Sequence, residues 1–399
     1  MAIVHKVLGS CPGCGTPESF GNVMIHGTTL SRGCKSCKYW RSLDLPPLRK
    51  KIVYLDQSLL SAAFKGSDSR AQHAVSRVGE LASQQLLVAP HSNLHEDESH
   101  QWAGYDGKTP TQLMNFIEQT ARGVELRPAY EVEQTQIYKG FLAHIASEQS
   151  TYHLEERDAL SGDVHCWQNY VYVSVRRPVG DPAHLASLKR ESVDRLVAIF
   201  DRWAESAETF DEQVAMEVSD AGREYLNQYA TFVARVQGGD LNAFLDATVA
   251  SRCVPTLLRA LPSDAQPEAK LRAVIDYFKS DHFSALPYQW LSARVFATLR
   301  EMVRGGAFAN RAKATERLSG VFFDVQHIAT YAPYVDVMFV DNQMANLVAQ
   351  PTVQLAARFG THVFSLNSID RFLDWMTELE RSMSSQHRDA LQRAYGSKE

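Results

Sequence analysis

The sequence predicts an α/β protein: a parallel sheet covered by helices on both faces, interrupted by a mostly α-helical insert and preceded by a small four-cysteine unit. Three observations carry this prediction. Apolar, β-branched runs such as Ile52-Val53-Tyr54-Leu55 occur near the start of the chain and again near its end. Strands without polar alternation mark a parallel sheet buried on both faces. Between those runs, from 105 to 320, Gly and Pro punctuate long segments of helical periodicity. Ahead of both, Cys11-Pro12-Gly13-Cys14 and Cys34-Lys35-Ser36-Cys37 repeat one spacing, C-x-x-C.

A chain of 399 residues with 45% apolar and 22% charged side chains has the material for two or three domains and a real core. The net charge of -5 excludes a globally basic nucleic-acid binder, so any such contact must be local. One local excess exists: residues 31–51 hold seven Lys and Arg against Asp44 alone, a net of +6. No apolar run approaches the roughly 20 residues a membrane helix needs, and no signal peptide precedes the cysteines. So long a chain with a good core does not need a disulfide scaffold. A soluble protein of the reducing cytoplasm, with no membrane partner, is expected.

Residues 1–46 form the first unit. The interval from Cys14 to Cys34 falls within the spacing of a zinc site built from four cysteines. Each knuckle supplies two corners of a tetrahedron, and Ser19–Leu30 supplies a short strand pair between them. The pattern resembles a zinc ribbon. Four thiolate ligands (Cys11, Cys14, Cys34, Cys37) leave no open position, so the Zn2+ is structural. Lys35, Lys38, Trp40 and Arg41, with Tyr39, suit a nucleic-acid contact by charge and stacking. Equally, Tyr39 and Trp40 suit docking of the ribbon onto the main body. Pro46-Pro47 mark the linker.

Residues 51–104 begin the α/β domain. The strand Lys51–Leu55 ends at Asp56, where an apolar helix starts. A second helix spans about Ser69 to Gln85, and Leu86–Ala89 is a second strand closed by Pro90. Ser92 or Asn93 then caps a helix that opens with His95-Glu96-Asp97-Glu98. Residues 105–320 read as helices: Pro110–Arg122, Tyr130–Glu148, Ala183–Glu208, Gly222–Val236, Leu241–Leu261, Glu268–Lys279 and Pro287–Val303. The stretch Val164–Val175, with Trp167, Tyr170 and Tyr172 before Arg176-Arg177-Pro178, reads as core aromatics or as a groove for a base. No partner constellation points to Cys166 as a nucleophile. Residues 321–399 restore the α/β pattern. Val321-Phe322-Phe323 precedes Asp324 at the start of helix Val325–Tyr331. A strand over Tyr334–Val340 ends at Asp341-Asn342, a helix follows, and His362–Phe364 is the last strand before a long helix Ser368–Tyr395.

Asp56, Glu96, Asp324 and Asp341 follow one grammar. Two end strands and two lie in first turns of helices, positions that converge on the carboxyl edge of a parallel sheet. Four carboxylates in one cleft repel unless hard cations neutralise them. Mg2+ or Mn2+ held this way activates water, and a second ion stabilises a leaving oxygen. Asp97 and Glu98 are the reserve acids on the helix of Glu96. Asp336 starts the strand that Asp341 ends; at about 3.3 Å per residue it lies roughly 16 Å away, in a structural role.

These pieces resemble the PIN domain nucleases. The matching segments are Ile52-Val53-Tyr54-Leu55-Asp56-Gln57-Ser58, Pro90-His91-Ser92-Asn93-Leu94-His95-Glu96, Asp324-Val325-Gln326-His327-Ile328-Ala329 and Met338-Phe339-Val340-Asp341-Asn342. They fall in two blocks, 51–104 and 321–399. By resemblance, Asp56, Glu96, Asp324 and Asp341 are the catalytic Mg2+ or Mn2+ ligands, with Ser58 and Asn342 as helper polar groups. The separation of Glu96 from Asp324 exceeds what a compact PIN domain holds, and makes 105–320 a helical insert. The resemblance implies a metal-dependent endonuclease acting on RNA rather than DNA, with a toxin or defence effector as one setting. The insert suits a lid or a surface for a regulatory partner, or for a second copy of the chain. The alternative is a non-catalytic zinc-ribbon adaptor for nucleic acid or protein on the same scaffold. An aspartyl phosphatase fits less well, because no second acid stands two residues after Asp56, and no phosphate-binding glycine loop is present.

Overall fold

A computed structural model describes residues 2–102, 104–167, 191, 193–194, 196–244, 248–318 and 320–396. Tyr170, Tyr172, the Arg176-Arg177-Pro178 run and residues 183–190, 192 and 195 of the expected helix Ala183–Glu208 lie outside the described residues. The chain opens with strands β1 (Lys6–Gly9), β2 (Phe20–His26), β3 (Thr29–Cys34) and β4 (Trp40–Asp44), an antiparallel sheet in that order. A second sheet is parallel. Its strands are β5 (Lys51–Leu55), β6 (Leu87–Val88), β7 (Val337–Phe339) and β8 (His362–Phe364), in the order β6-β5-β7-β8. The register pairs Ile52 with Val88, Leu55 with Phe339, and Phe339 with Phe364.

The apolar strands are buried on both faces, as their lack of alternation requires. Ile52, Tyr54, Met338 and Val340 face one core. It is completed by helices α5 (Ala129–Ile145), α9 (Pro287–Arg304) and α10 (Val321–Tyr331). Val53, Leu55, Val337 and Phe339 face the other. It is completed by α1 (Gln57–Lys65), α2 (Ser69–Ser83), α4 (Pro110–Ala121) and α12 (Ile369–Arg381). Each fully buried Val or Leu on these faces contributes about 1.5–3 kcal/mol. Helix α4 thus belongs to the layer that covers the sheet. A further core packs α5 against α6 (Phe210–Gln237), α7 (Val249–Ala260) and α8 (Pro267–Phe278) through Phe141, Tyr225, Val254 and Tyr277. Helix α3 (Asn93–Gln101) and helix α11 (Asn342–Val348) each follow a strand of the parallel sheet.

Several expected boundaries move for local reasons. Helix α6 starts at Phe210 rather than at the expected Gly222, because Thr209 and Glu212 form a capping box. The expected helix Leu241–Leu261 resolves into a 3-10 turn Leu241–Phe244 and helix α7 capped by Thr248. Helix α10 begins at Val321, so Val321-Phe322-Phe323 is its first turn. The expected single helix Ser368–Tyr395 is two helices. It breaks at Ser382–Ser384, where Ser384 caps α13 (Ser385–Tyr395). Asp336 behaves as its distance from Asp341 implies. It pairs with Lys51 Nζ at 2.6 Å and accepts the Ile52 amide at 2.9 Å, at the amino edge of the sheet.

The antiparallel sheet docks on α13. Leu30 and Leu45, with Ile25 and Leu43, meet Leu48, Trp167, Ala390 and Ala394. Asn22 Nδ2 donates to the carbonyls of Arg393 and Ala394 at 3.1 and 3.0 Å. Tyr39 instead packs on Phe20 inside the ribbon, and Trp40 is 49% exposed, so neither aromatic forms the dock. Among the described residues no helix is long and apolar enough to cross a membrane.

Candidate functional sites

The four N-terminal cysteines meet because β2 and β3 form a hairpin that brings Phe20 opposite Cys34. Cys11 Sγ lies 3.7 Å from Cys37 Sγ, and Cys14 Sγ lies 3.8 Å from Cys34 Sγ. A disulfide needs about 2.05 Å. A tetrahedron of sulfurs at about 2.3 Å from zinc has edges of about 3.8 Å. The amides of Gly13, Ser36 and Tyr39 point at the sulfurs of Cys11, Cys34 and Cys37 at 3.2–3.4 Å, as donors to thiolates should. Without a cation the sulfurs differ: hydrogen bonding with Thr16 draws the Cys14 pKa down, and at Cys34 burial pushes up but hydrogen bonds with Ser19 and the Ser36 and Cys37 amides bring it to about 6. Cys37 is pushed up to about 12: the Tyr39 amide pulls it down, but burial and the other three sulfurs outweigh that pull. The cluster is suited to Zn2+.

The second site lies at the carboxyl edge of the parallel sheet. The chain goes from β5 to β6 on one side and later returns to β7 on the other, so β5 and β7 flank a topological switch point. Asp56 follows β5 directly, and its amide donates to Phe339 O of β7 at 2.9 Å. Its carboxylate caps α1 by accepting the Ser58 amide at 2.9 Å. Asp341 stands two residues past β7 and caps α11, accepting the Met344 amide at 2.7 Å. The two acids therefore sit at neighbouring strand ends. Burial pushes the Asp56 pKa up; Ser58, whose amide donates to the carboxylate, pulls it back, and the charge of Asp341 pushes it up further. Of the expected helper groups, Ser58 acts on Asp56 through its amide, while its buried hydroxyl has no hydrogen-bond partner among the described residues. The Asn342 side-chain oxygen accepts the Asn367 amide at 2.9 Å, fixing the turn after β8.

Helices α3 and α10 bring further groups. His95 Nε2 lies 2.7 Å from Leu55 O and its Nδ1 lies 3.0 Å from the Ser92 amide. A carbonyl only accepts, so Nε2 carries the proton and the ring is neutral. Burial holds its pKa down at about 4. This contact sets the rotation of α3. Glu98 and Ser99, three and four residues beyond His95, share its face. Ser99 Oγ accepts from Gln57 Nε2 at 3.1 Å, and Glu98 Oε1 lies 3.9 Å from His327 Nε2. His327 Nδ1 lies 3.1 Å from the Tyr54 hydroxyl on β5. Asp324 lies one turn before His327 on the same face of α10, its carboxylate over Gly320, where a Cβ would stand 2.9 Å from Oδ2. The structure therefore brings Asp56 and Asp341 together and turns Glu98, the reserve acid, toward that edge. Glu96 points elsewhere, into a group with His91 and Glu125. His95 and His327 were not singled out by sequence. The three-residue spacing of Asp324 and His327 was the available signal.

Lys35, Lys38, Trp40 and Arg41 all lie exposed on the four-cysteine unit. A cavity of about 760 Å3 opens among α6, α7 and α9, lined by Glu133, Glu217, Tyr225, Tyr288, Phe296 and Phe322 among others. It reaches the first turn of α10 through Phe322 but does not include the sheet edge. Comparison with known protein families, with curated proteins and with solved structures finds no match to this chain.

Proposed function

We propose that the chain is a Mg2+- or Mn2+-dependent endonuclease of PIN-like type that prefers RNA to DNA. The observation that carries this reading is the placement of Asp56 and Asp341 on adjacent strand ends, with the ionisation of Asp56 opposed by burial and by Asp341. A hard divalent cation relieves both penalties. The donors fit such an ion, since all are oxygens. Gln57 Oε1, next in sequence to Asp56, is a buried carbonyl with no hydrogen-bond partner among the described residues. Asp56 and Asp341 are the central ligands, with Asp324 and Glu98 as the acids offered by α10 and α3.

When bound, the cation supplies an activated water and stabilises the charge that develops on the phosphodiester. The chain's own residues do the positioning. The α1 and α11 caps hold the two aspartates, and the Leu55–His95 bond holds α3. The zinc-bound ribbon presents Lys35, Lys38 and Arg41 to phosphates and Trp40 to a base. The expected result is that Asp56→Asn and Asp341→Asn each lower Mn2+-dependent cleavage of single-stranded RNA by at least about 100-fold, with circular dichroism unchanged. Full cleavage by both variants would sink the reading.

One observation favours a non-catalytic scaffold instead. Both aspartates also serve as helix caps, a use that requires no metal. Mn2+ calorimetry separates the two readings, because an adaptor shows no binding that Asp56→Asn removes.

A further inference from the structure

Beyond β6 lies a cluster that the catalytic reading does not use. His91 follows the Ala89-Pro90 end of that segment. Residues 124–126 run alongside as a parallel bridge, with His91 N bonded to Val124 O at 3.2 Å and Leu126 N to His91 O at 2.7 Å. Bridged residues project their side chains to the same side, so His91 and Glu125 stand together. Glu96 enters from the first turn of α3. One ligand atom from each of the three residues lies within 4.8 Å of the other two. The His91 ring is buried, at 5% exposure, while both glutamates are half-buried.

One nitrogen of the imidazole is held from outside the cluster. His91 Nδ1 lies 3.1 Å from Val124 O. The carbonyl accepts, so Nδ1 carries the proton and Nε2 is the ligand atom. Metal-binding histidines are held this way, with the far nitrogen donating to a carbonyl or carboxylate that fixes tautomer and orientation.

We propose that His91, Glu96 and Glu125 form a binding site for a divalent transition-metal ion of the Mn2+ or Fe2+ type, separate from Asp56 and Asp341. An imidazole with two carboxylates selects such ions over Mg2+ and Ca2+, which take oxygen ligands. Two carboxylates also balance the charge of the ion. Ligand atoms about 2.1 Å from one ion stand about 3.0–3.5 Å apart. Closing from the 4.8 Å limit asks for a small side-chain movement, within the rotamer freedom of half-buried glutamates. The bound ion ties together the end of β6, helix α3 and the 124–126 segment. Its role is a structural clamp on the helix that carries His95 and Glu98.

The test uses Mn2+ alone on the full-length, zinc-loaded chain. Pulsed electron paramagnetic resonance detects coordinated nitrogen directly, independently of any nuclease activity. The wild type is expected to show one Mn2+ coupled to a single imidazole nitrogen. His91→Ala should lose that coupling. Glu125→Gln should weaken Mn2+ binding more than about tenfold. The double variant Asp56→Asn, Asp341→Asn should keep the nitrogen-coupled ion. No nitrogen-coupled Mn2+ in the wild type, or coupling that survives His91→Ala, overturns the site. If His91→Ala does not fold, Glu125→Gln decides, since it keeps the volume of the side chain: unchanged Mn2+ affinity overturns the proposal. Loss of the coupling in the aspartate double variant would assign the ion to the β5–β7 edge and equally overturn it.

Discussion

Asp56 carries two roles at the scale of one residue, and they pull in opposite directions. As the cap of α1 it stabilises; as a half-buried charge beside Asp341 it destabilises. Asparagine keeps the first role, because its side-chain oxygen also accepts an amide at the N-cap. In EDTA, Asp56→Asn should therefore melt at or above the wild type. With Mn2+ at about 100 times its Kd the order should reverse, since wild type alone gains about 2.7 kcal/mol from binding. Thermal melts in the two buffers check this. A variant that is already less stable by more than about 2 kcal/mol in EDTA would make the carboxylate structural. The strand-end acids were legible in the sequence because a strand carries its terminal residue to a known edge. The acid of α3 was not. Each helical residue turns about 100°, and the choice among Glu96, Asp97 and Glu98 is made by the bond from His95 to the Leu55 carbonyl, a contact distant in sequence.

At the scale of elements, helices were legible wherever apolar periodicity ran clean, and their ends were not. Helices α12 and α13 share one amphipathic pattern, and only the Ser384 cap separates them. The cavity bounded by α6, α7 and α9 was invisible for the same reason, since it depends on how helices from distant segments face one another. Its consequence is a pH dependence. Burial pushes Glu133 up to about 7 from 4.5, and Glu217 likewise to about 7, with Asp220 adding to the push on Glu217. The folded state then binds protons more tightly than the unfolded one. Their contribution is fully present below the unfolded pKa and is lost as pH rises through about 7. The melting temperature at low ionic strength should accordingly fall between pH 5 and pH 8. Glu133→Gln keeps an acceptor for the Tyr225 hydroxyl. It should match the wild type at pH 5 and exceed it at pH 8 by roughly 1–2 kcal/mol, allowing for solvent entry into the cavity. Parallel melting curves for the two proteins across that range would contradict the assignment.

Across the whole molecule, the four-cysteine sheet and α13 tie together segments from opposite parts of the sequence. The cysteine pairs were legible because their spacing is local chemistry. The dock was not, because it is made by Leu30, Leu43 and Leu45 against a helix at the opposite end of the sequence. The aromatics that suggested docking face elsewhere: Tyr39 packs on Phe20 and Trp40 stays exposed. The linker records this arrangement. Lys50 is 3% exposed and its pKa is held down to about 8, chiefly by burial. A chain ending at Ser384 loses Ala390 and Ala394 from the dock, and with them the carbonyls that Asn22 engages. The ribbon's zinc ligands are all internal to residues 11–37, so such a chain should still bind about one zinc. The undocked ribbon should leave Lys50 and Lys51 open, and trypsin should cut there at least about tenfold faster than in the intact chain. Metal analysis and a timed digest read the two quantities separately. Unchanged cleavage would mean that Trp167 and Leu48 hold the ribbon without α13, whereas loss of zinc together with fast cleavage would mean that the ribbon does not fold away from its helix.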